Sequence, residues 1–170
     1  MTDRNDGRGA PNARRASPGV AEAPFVHVER VRFGDLDAMQ HMNNVEFLRF
    51  FETARIEYLT HLVPDHRPTR RQDFGFIFAE CRISYRAPAF YDDDIRTAIR
   101  PGEIRRSSLR LEFEMHVGDR LVAEGYGVLV GYDYEAGRSQ PLPDELRERL
   151  GAAAGSPAPA GGQRAPRAVL

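Results

Sequence analysis

Val45-Glu46-Phe47-Leu48-Arg49-Phe50-Phe51-Glu52-Thr53-Ala54-Arg55-Ile56-Glu57-Tyr58-Leu59-Thr60-His61-Leu62 reads as the one long helix of the chain. At about 100° per residue, Leu48, Phe51, Ala54, Tyr58, Leu59 and Leu62 share one side. Glu46, Arg49, Thr53, Glu57 and Thr60 share the other. Phe47 and Phe50 widen the apolar arc, and Arg55 falls inside it with Glu52 as its expected partner. A helix apolar over so much of its circumference is mostly buried, as if wrapped by a sheet. Asn43 and Asn44 are good N-cap residues, and Pro64 ends the helix.

The flanking segments supply that sheet. Phe25–Phe33 reads as a first strand, followed by a polar, turn-forming stretch from Gly34 to Asn44. After the helix come strand signals at Phe74–Tyr85, closed by Pro88, and at Asp94–Arg100, stopped by Pro101-Gly102. Leu109, Leu111, Phe113, Met115 and Val117 alternate with Arg110, Glu112, Glu114 and His116, the period of a half-buried strand. Gly118-Asp119 suits a tight hairpin turn. Leu121–Tyr132 is apolar almost throughout and reads as a central strand covered on both faces. An amphipathic helix, Pro143–Leu150, closes the domain. The order predicts an α+β fold, a five-stranded antiparallel sheet around one long central helix. Such a sheet has free edges and a broad outer face, so a homodimer or homotetramer is expected.

Composition bounds the partners. The chain has 170 residues and a formal net charge of -1, so one domain is expected and no large single-sign field draws nucleic acid or an anionic membrane. Residues 1–23 and 152–170 are rich in Ala, Gly, Pro and Arg, and read as disordered tails around a domain at 24–151. All 24 basic residues are Arg, so no Schiff-base lysine exists and any phosphate clamp must use guanidinium groups. The lone cysteine, Cys81, excludes an intrachain disulfide and reads as a small buried hydrophobe. His27, His61, His66 and His116 are scattered without ligand spacing, so neither a metal nor another cofactor is expected. No window approaches a membrane span, and the first residues lack the apolar core of a secretory signal; a cytoplasmic protein is expected.

Chemistry concentrates in Gly34-Asp35-Leu36-Asp37-Ala38-Met39-Gln40-His41-Met42-Asn43-Asn44. Two carboxylates, a histidine and two amides stand just before free helix-start N–H groups, which favour negative charge. A carbonyl placed there would be polarised, and a carboxylate beside it could attack or activate water. The same residue types also serve as plain caps and turn formers, the commoner use. Both readings stand on the residues alone.

Asp37-Ala38-Met39-Gln40-His41-Met42-Asn43-Asn44, with Phe47 to Arg55 behind it, resembles the opening motif of the 4-hydroxybenzoyl-CoA thioesterase-like family. That motif is Asp-x-Asp-x-x-(Gly/Gln)-His-(Val/Met)-Asn-Asn, then an aromatic helix ending in Glu-x-Ala-Arg. Tyr85-Arg86-Ala87-Pro88-Ala89 resembles a second family segment, and the likeness runs over about residues 25–150. It implies a hotdog fold and hydrolysis of acyl-CoA thioesters, with Asp37 as the catalytic carboxylate and an N–H at or near Asn44 polarising the carbonyl. His41 would orient Asp37 or a substrate oxygen. Gln40 and Asn43 would contact substrate. Gln40 stands where the aryl-CoA members have glycine, a form more like the long-chain acyl-CoA branch. Arg105 and Arg106 would meet the nucleotide phosphates. Two alternatives remain within this fold: a hydratase or dehydratase of acyl thioesters, and a non-catalytic acyl-CoA binding module. The Asp-to-His spacing of the hydratases is not met here.

Overall fold

The computed structural model describes residues 25–64 and 75–154. The tail at 1–23, His66, Phe74 and everything beyond Ala154 lie outside these described residues. In chain order the elements are β1 (Phe25–Arg30), a 3-10 turn (Phe33–Asp35), α1 (Asn44–Leu62), β2 (Gly75–Tyr85), β3 (Asp94–Ile104), β4 (Ser108–Val117), β5 (Arg120–Asp133), β6 (Arg138–Ser139) and α2 (Asp144–Ala154).

The sheet runs β1-β3-β4-β5-β2, with every neighbouring pair antiparallel. β1 and β2 are consecutive strands at opposite edges, so α1 carries the chain across the whole sheet. Its 19 residues span about 28 Å, enough to cross five strands spaced about 4.8 Å apart. This is why one long helix and an antiparallel sheet belong together, and the fold is the hotdog architecture.

The helix is seated by aromatic stacking. The Phe51 ring lies 4.2 Å from that of Phe113 on β4, and Phe78 of β2 flanks it at 6.2 Å. Gly127 makes room for this cluster: a Cβ there would stand 2.5 Å from Phe78 and 2.8 Å from Phe51. The buried face is Phe47, Phe50, Phe51, Ala54, Arg55, Tyr58 and Leu59. Leu48, expected on the core side, is exposed instead. The sheet wraps the side marked by Phe47 and Phe50, which turns Leu48 outward. Arg55 is buried, paired with Glu52 at 3.0 Å as expected, and packed 4.0 Å over the Phe78 ring. At the other end of α1, the Arg149 guanidinium of α2 donates to Leu62 O at 2.6 Å and so satisfies a terminal carbonyl.

Several boundaries differ from expectation for identifiable reasons. β1 stops at Arg30, because Val31 exchanges backbone hydrogen bonds with Asp92 and Asp93 and the chain then turns. β3 runs through Pro101-Gly102 to Ile104, with a register shift between Pro101 and Ile104. Among the described residues β1 begins at Phe25, opposite Ile99, so the missing N–H of Pro101 lies beyond the described β1–β3 pairing. β5 outruns β4 at Val130, and a turn at Asp133–Gly137 returns the two-residue β6 to pair with the overhang. β5 is central, but only its inner face lies under the helix. On the outer face Glu124 and Tyr126 sit under Arg86 and Arg110. α2 runs to Ala154 and so includes residues 152–154. Cys81 is exposed, not buried, because β2 is an edge strand paired on one side only, and its middle residues Ala79–Arg82 have no cover in the single chain.

Candidate active site

The loop between β1 and α1 is a small closed structure built from its own polar groups. Asp35 is buried, and its carboxylate accepts from the Arg32 N–H at 2.8 Å and from Arg32 Nε at 3.1 Å. Its own carbonyl accepts from the Asn43 N–H at 2.8 Å. These bonds join the two ends of the loop, and a Leu36–Met42 bridge closes it further in. Within this ring the Asp37 N–H donates to His41 O at 2.9 Å and the Gln40 N–H to Asp37 O at 3.0 Å. The reversal demands a left-handed residue, and Gln40 takes it with φ +65°. Glycine adopts that conformation freely, so the Gly/Gln alternation at this position has a backbone cause.

Asp37 is held at both oxygens and remains partly open. Oδ1 accepts from the Met39 N–H at 2.8 Å, and Oδ2 lies 3.2 Å from His41 Nδ1. Asn43 is the N-cap of α1, its side-chain oxygen accepting from the Val45 N–H at 3.2 Å. Asn44 is the first helical residue, and its N–H belongs to the turn that has no intrahelical acceptors. Asp37, His41, Met42 and Asn44 line one hollow of about 380 Å³ together with Phe47, Tyr85, Arg86, Ala87 and Pro88. Asp37 also lines a second hollow of about 590 Å³, formed with Phe33, Leu36, Gln40, Phe90 and Tyr91.

The far walls of both hollows come from the β2–β3 connection. Met42 N–H donates to Ala89 O at 2.7 Å, and Val31 N–H to Asp93 O at 2.9 Å, so the connection is stitched to the loop at two points. The Tyr85 hydroxyl donates to Asn44 O at 2.9 Å and its ring meets Phe47 edge-on, locking the start of α1 against the end of β2. Burial raises the Tyr85 phenol pKa, which keeps the hydroxyl a donor. Tyr85, Arg86, Phe33, Phe90 and Tyr91 are the site residues that the site assignment from sequence omits. The Tyr85-to-Ala89 motif was the signal for the first two; the aromatic residues had none.

The arrangement therefore brings together Asp37, Gln40, His41, Asn43 and Asn44. It does not bring Arg105 and Arg106 to them within one chain. Those residues form the β3–β4 turn, at the end of β3 opposite the loop, on the order of 30 Å away along an eleven-residue strand. Arg105 is exposed and paired with Glu103 at 2.9 Å. Asp92 and Asp94 are engaged by Arg30. Among the described residues, no three His, Cys, Asp or Glu side chains gather as metal ligands would.

Chemically, the loop offers a half-open carboxylate, an imidazole beside it and a helix start, all on one hollow. Such a set can polarise a carbonyl, hold an oxyanion and supply either a nucleophile or a base for water.

Comparison with known proteins bears on that chemistry. The sequence model of the thioesterase-like superfamily matches residues 31–150. The long-chain acyl-CoA thioesterase FadM of Escherichia coli is 28% identical over 123 residues, 71% of this chain and 92% of that protein. A thioesterase from Thermus thermophilus, solved in complex with coenzyme A and Zn, is 35% identical with a TM-score of 0.68, covering 80% of this chain and 98% of that one. A predicted thioesterase from Bacillus stearothermophilus superposes with a TM-score of 0.71 at 25% identity, covering 78% and 98%.

Proposed function

The chain belongs to the thioesterase-like superfamily and is a thioester hydrolase, and we propose that it cleaves acyl-CoA to the free acid and coenzyme A with Asp37 as the working carboxylate. One observation carries this reading: Asp37 lines the same hollow as Asn44, the first residue of α1. A thioester carbonyl received there meets a helix-start N–H and the positive end of the helix dipole. Asp37 adds to the carbonyl carbon, giving a mixed anhydride that water then opens, or takes a proton from water as hydroxide adds. In either route the oxyanion is held by the first-turn N–H, the C–S bond breaks, and the thiolate leaves with its electron pair and is protonated. The thiolate is a good leaving group, so modest activation suffices.

His41 fixes the orientation of Asp37 through the 3.2 Å contact; Gln40 contacts substrate from the wall of the larger hollow, and Asn43, which caps α1, contacts it beside the helix start. Arg105 and Arg106 meet the nucleotide phosphates across a contact between two copies. The uncovered edge of β2 at Ala79–Arg82 supports a homodimer or homotetramer. No described helix is long and apolar enough to cross a membrane. The substrate is an intracellular metabolite class, and a cytoplasmic enzyme follows from this reading.

The test is thiol release across short, long and aromatic acyl-CoAs. The expected result is stoichiometric free acid and coenzyme A. Hydration of an enoyl-CoA without thiol release would assign the site to a hydratase, and tight binding without turnover would assign it to a binding module.

A further inference from the structure

The outer face of the sheet, turned away from α1, carries a hollow of about 310 Å³ that Asp37 does not line. A row of residues in register crosses it over four strands: Arg82 of β2, Tyr126 of β5, Glu112 of β4 and Arg100 of β3. The row is positive at both ends. Arg86 and Arg110 line the hollow as well. In the next row Glu114 and Glu124 stand directly opposite each other. Four arginines against three glutamates leave one positive charge here, in a chain whose formal net charge is -1.

The ion pairs inside the hollow leave particular donors over. Arg86 donates through Nε and Nη2 to one oxygen of Glu124, and Arg100 through Nη2 to Glu114 at 2.8 Å. Those pairs settle the two facing glutamates. Arg110 lies 3.7 Å over the Tyr126 ring, and its Nε is buried without a hydrogen bond, 3.5 Å from Glu112. The Tyr126 hydroxyl is taken by Glu80 at 2.6 Å. Arg82 makes no hydrogen bond or ion pair among the described residues, and neither does the Ser84 hydroxyl two positions along the same strand. A whole guanidinium, a hydroxyl and a buried Nε therefore face one hollow with no protein acceptor. Pairing of the β2 edge with a second copy uses backbone groups in the plane of the sheet, so it leaves this face open.

We propose that this hollow binds a phosphate-bearing anion, with Arg82 as the principal ligand and Ser84 and Arg110 as supporting donors. A guanidinium fork meets two phosphate oxygens at once, and a tetrahedral group has further oxygens for the neighbouring donors. The volume lies at the low end for ligand pockets, so the occupant is compact, a phosphate or diphosphate group and not a whole nucleotide. A free phosphate compound and the nucleotide end of a coenzyme A thioester share this chemistry.

The experiment titrates inorganic pyrophosphate into the full chain at low ionic strength by calorimetry. Wild type is compared with Arg82→Ala, Arg82→Lys and Arg105→Ala. Arg82 is exposed, so its variants keep the fold, checked by thermal melting. The expected result is saturable binding that Arg82→Ala weakens by about tenfold or more. Arg82→Lys, which keeps the charge and loses the fork, falls between the two. Arg105→Ala binds as wild type does. Repeating the titration with coenzyme A present separates the sources. Displacement assigns the occupant to the substrate's own phosphates and simultaneous binding to a separate compound, and both support the site. Wild type that binds no pyrophosphate, Arg82→Ala that binds it equally well, or equal weakening by Arg82→Ala and Arg105→Ala would each overturn the assignment. The readout is binding and not turnover, so none of these results bears on thioester hydrolysis.

Discussion

The two charged turns at opposite ends of β3 make an instructive pair. At one end, the loop Val31–Asn44 and the connection Tyr85–Asp93 bond to each other, and a carboxylate is left facing two hollows. At the other, Arg105 pairs with its neighbour Glu103 in open solvent, and both are exposed. Both are short polar stretches between regular elements. The first becomes a lined cavity, the candidate site, because a second segment covers it and uses up its other polar groups. The second satisfies its charge locally and remains a turn in the single chain. Charge and motif mark a stretch as capable of chemistry; an opposing wall makes it a cavity.

The sharpest way to break this contrast is within the loop itself, between Asp37 and Asp35. Asp37→Asn should lower kcat by about 10³- to 10⁴-fold while leaving the melting temperature nearly unchanged, measured by thiol release and calorimetry on one preparation. Asp35→Ala should do the reverse, costing about 2 kcal/mol of stability in urea unfolding, because it strands the Arg32 N–H and removes the partner of Arg32 Nε. An active, fully folded Asp37→Asn protein would leave the first region no more chemical than the second.

Next in size is the wall. Tyr85→Phe removes the hydroxyl that holds Asn44 O and should cost about 1 kcal/mol of stability and roughly tenfold in kcat. An unchanged kcat would mean that the helix start holds its place without the β2–β3 connection. The smallest effect belongs to the far turn. Arg105→Ala should leave the melting temperature nearly unchanged, because an exposed pair contributes little. It should raise KM a few-fold with kcat unchanged, and more at low salt. A fall in kcat there would show that the distant turn reaches the reacting atoms.

Much of the fold and part of the site were legible in the residues. The helical period from Val45, the alternation from Leu109 to Val117 and the Gly118-Asp119 turn are local signals, because side-chain direction follows backbone geometry within a few residues. Asp37, His41, Asn43 and Asn44 lie within eight residues, so their assembly around a helix start is also nearly local. Cys81 and Leu48 were misplaced because burial depends on what another element covers: the edge position of β2 and the rotation of α1 under the sheet are set by packing.

By itself, then, the sequence determined the element types, the helix that the sheet must enclose and the loop carrying the carboxylate. Only the tertiary structure decided which strands stand at the edges, which face of α1 is enclosed, and that Phe33 and Leu36 share a hollow with Phe90 and Tyr91 more than fifty positions away. The physical reason is range. Backbone geometry and capping act over one or two turns of chain, whereas a cavity is bounded by side chains whose proximity comes from long-range strand pairing and from the apolar contacts that hold the helix in place.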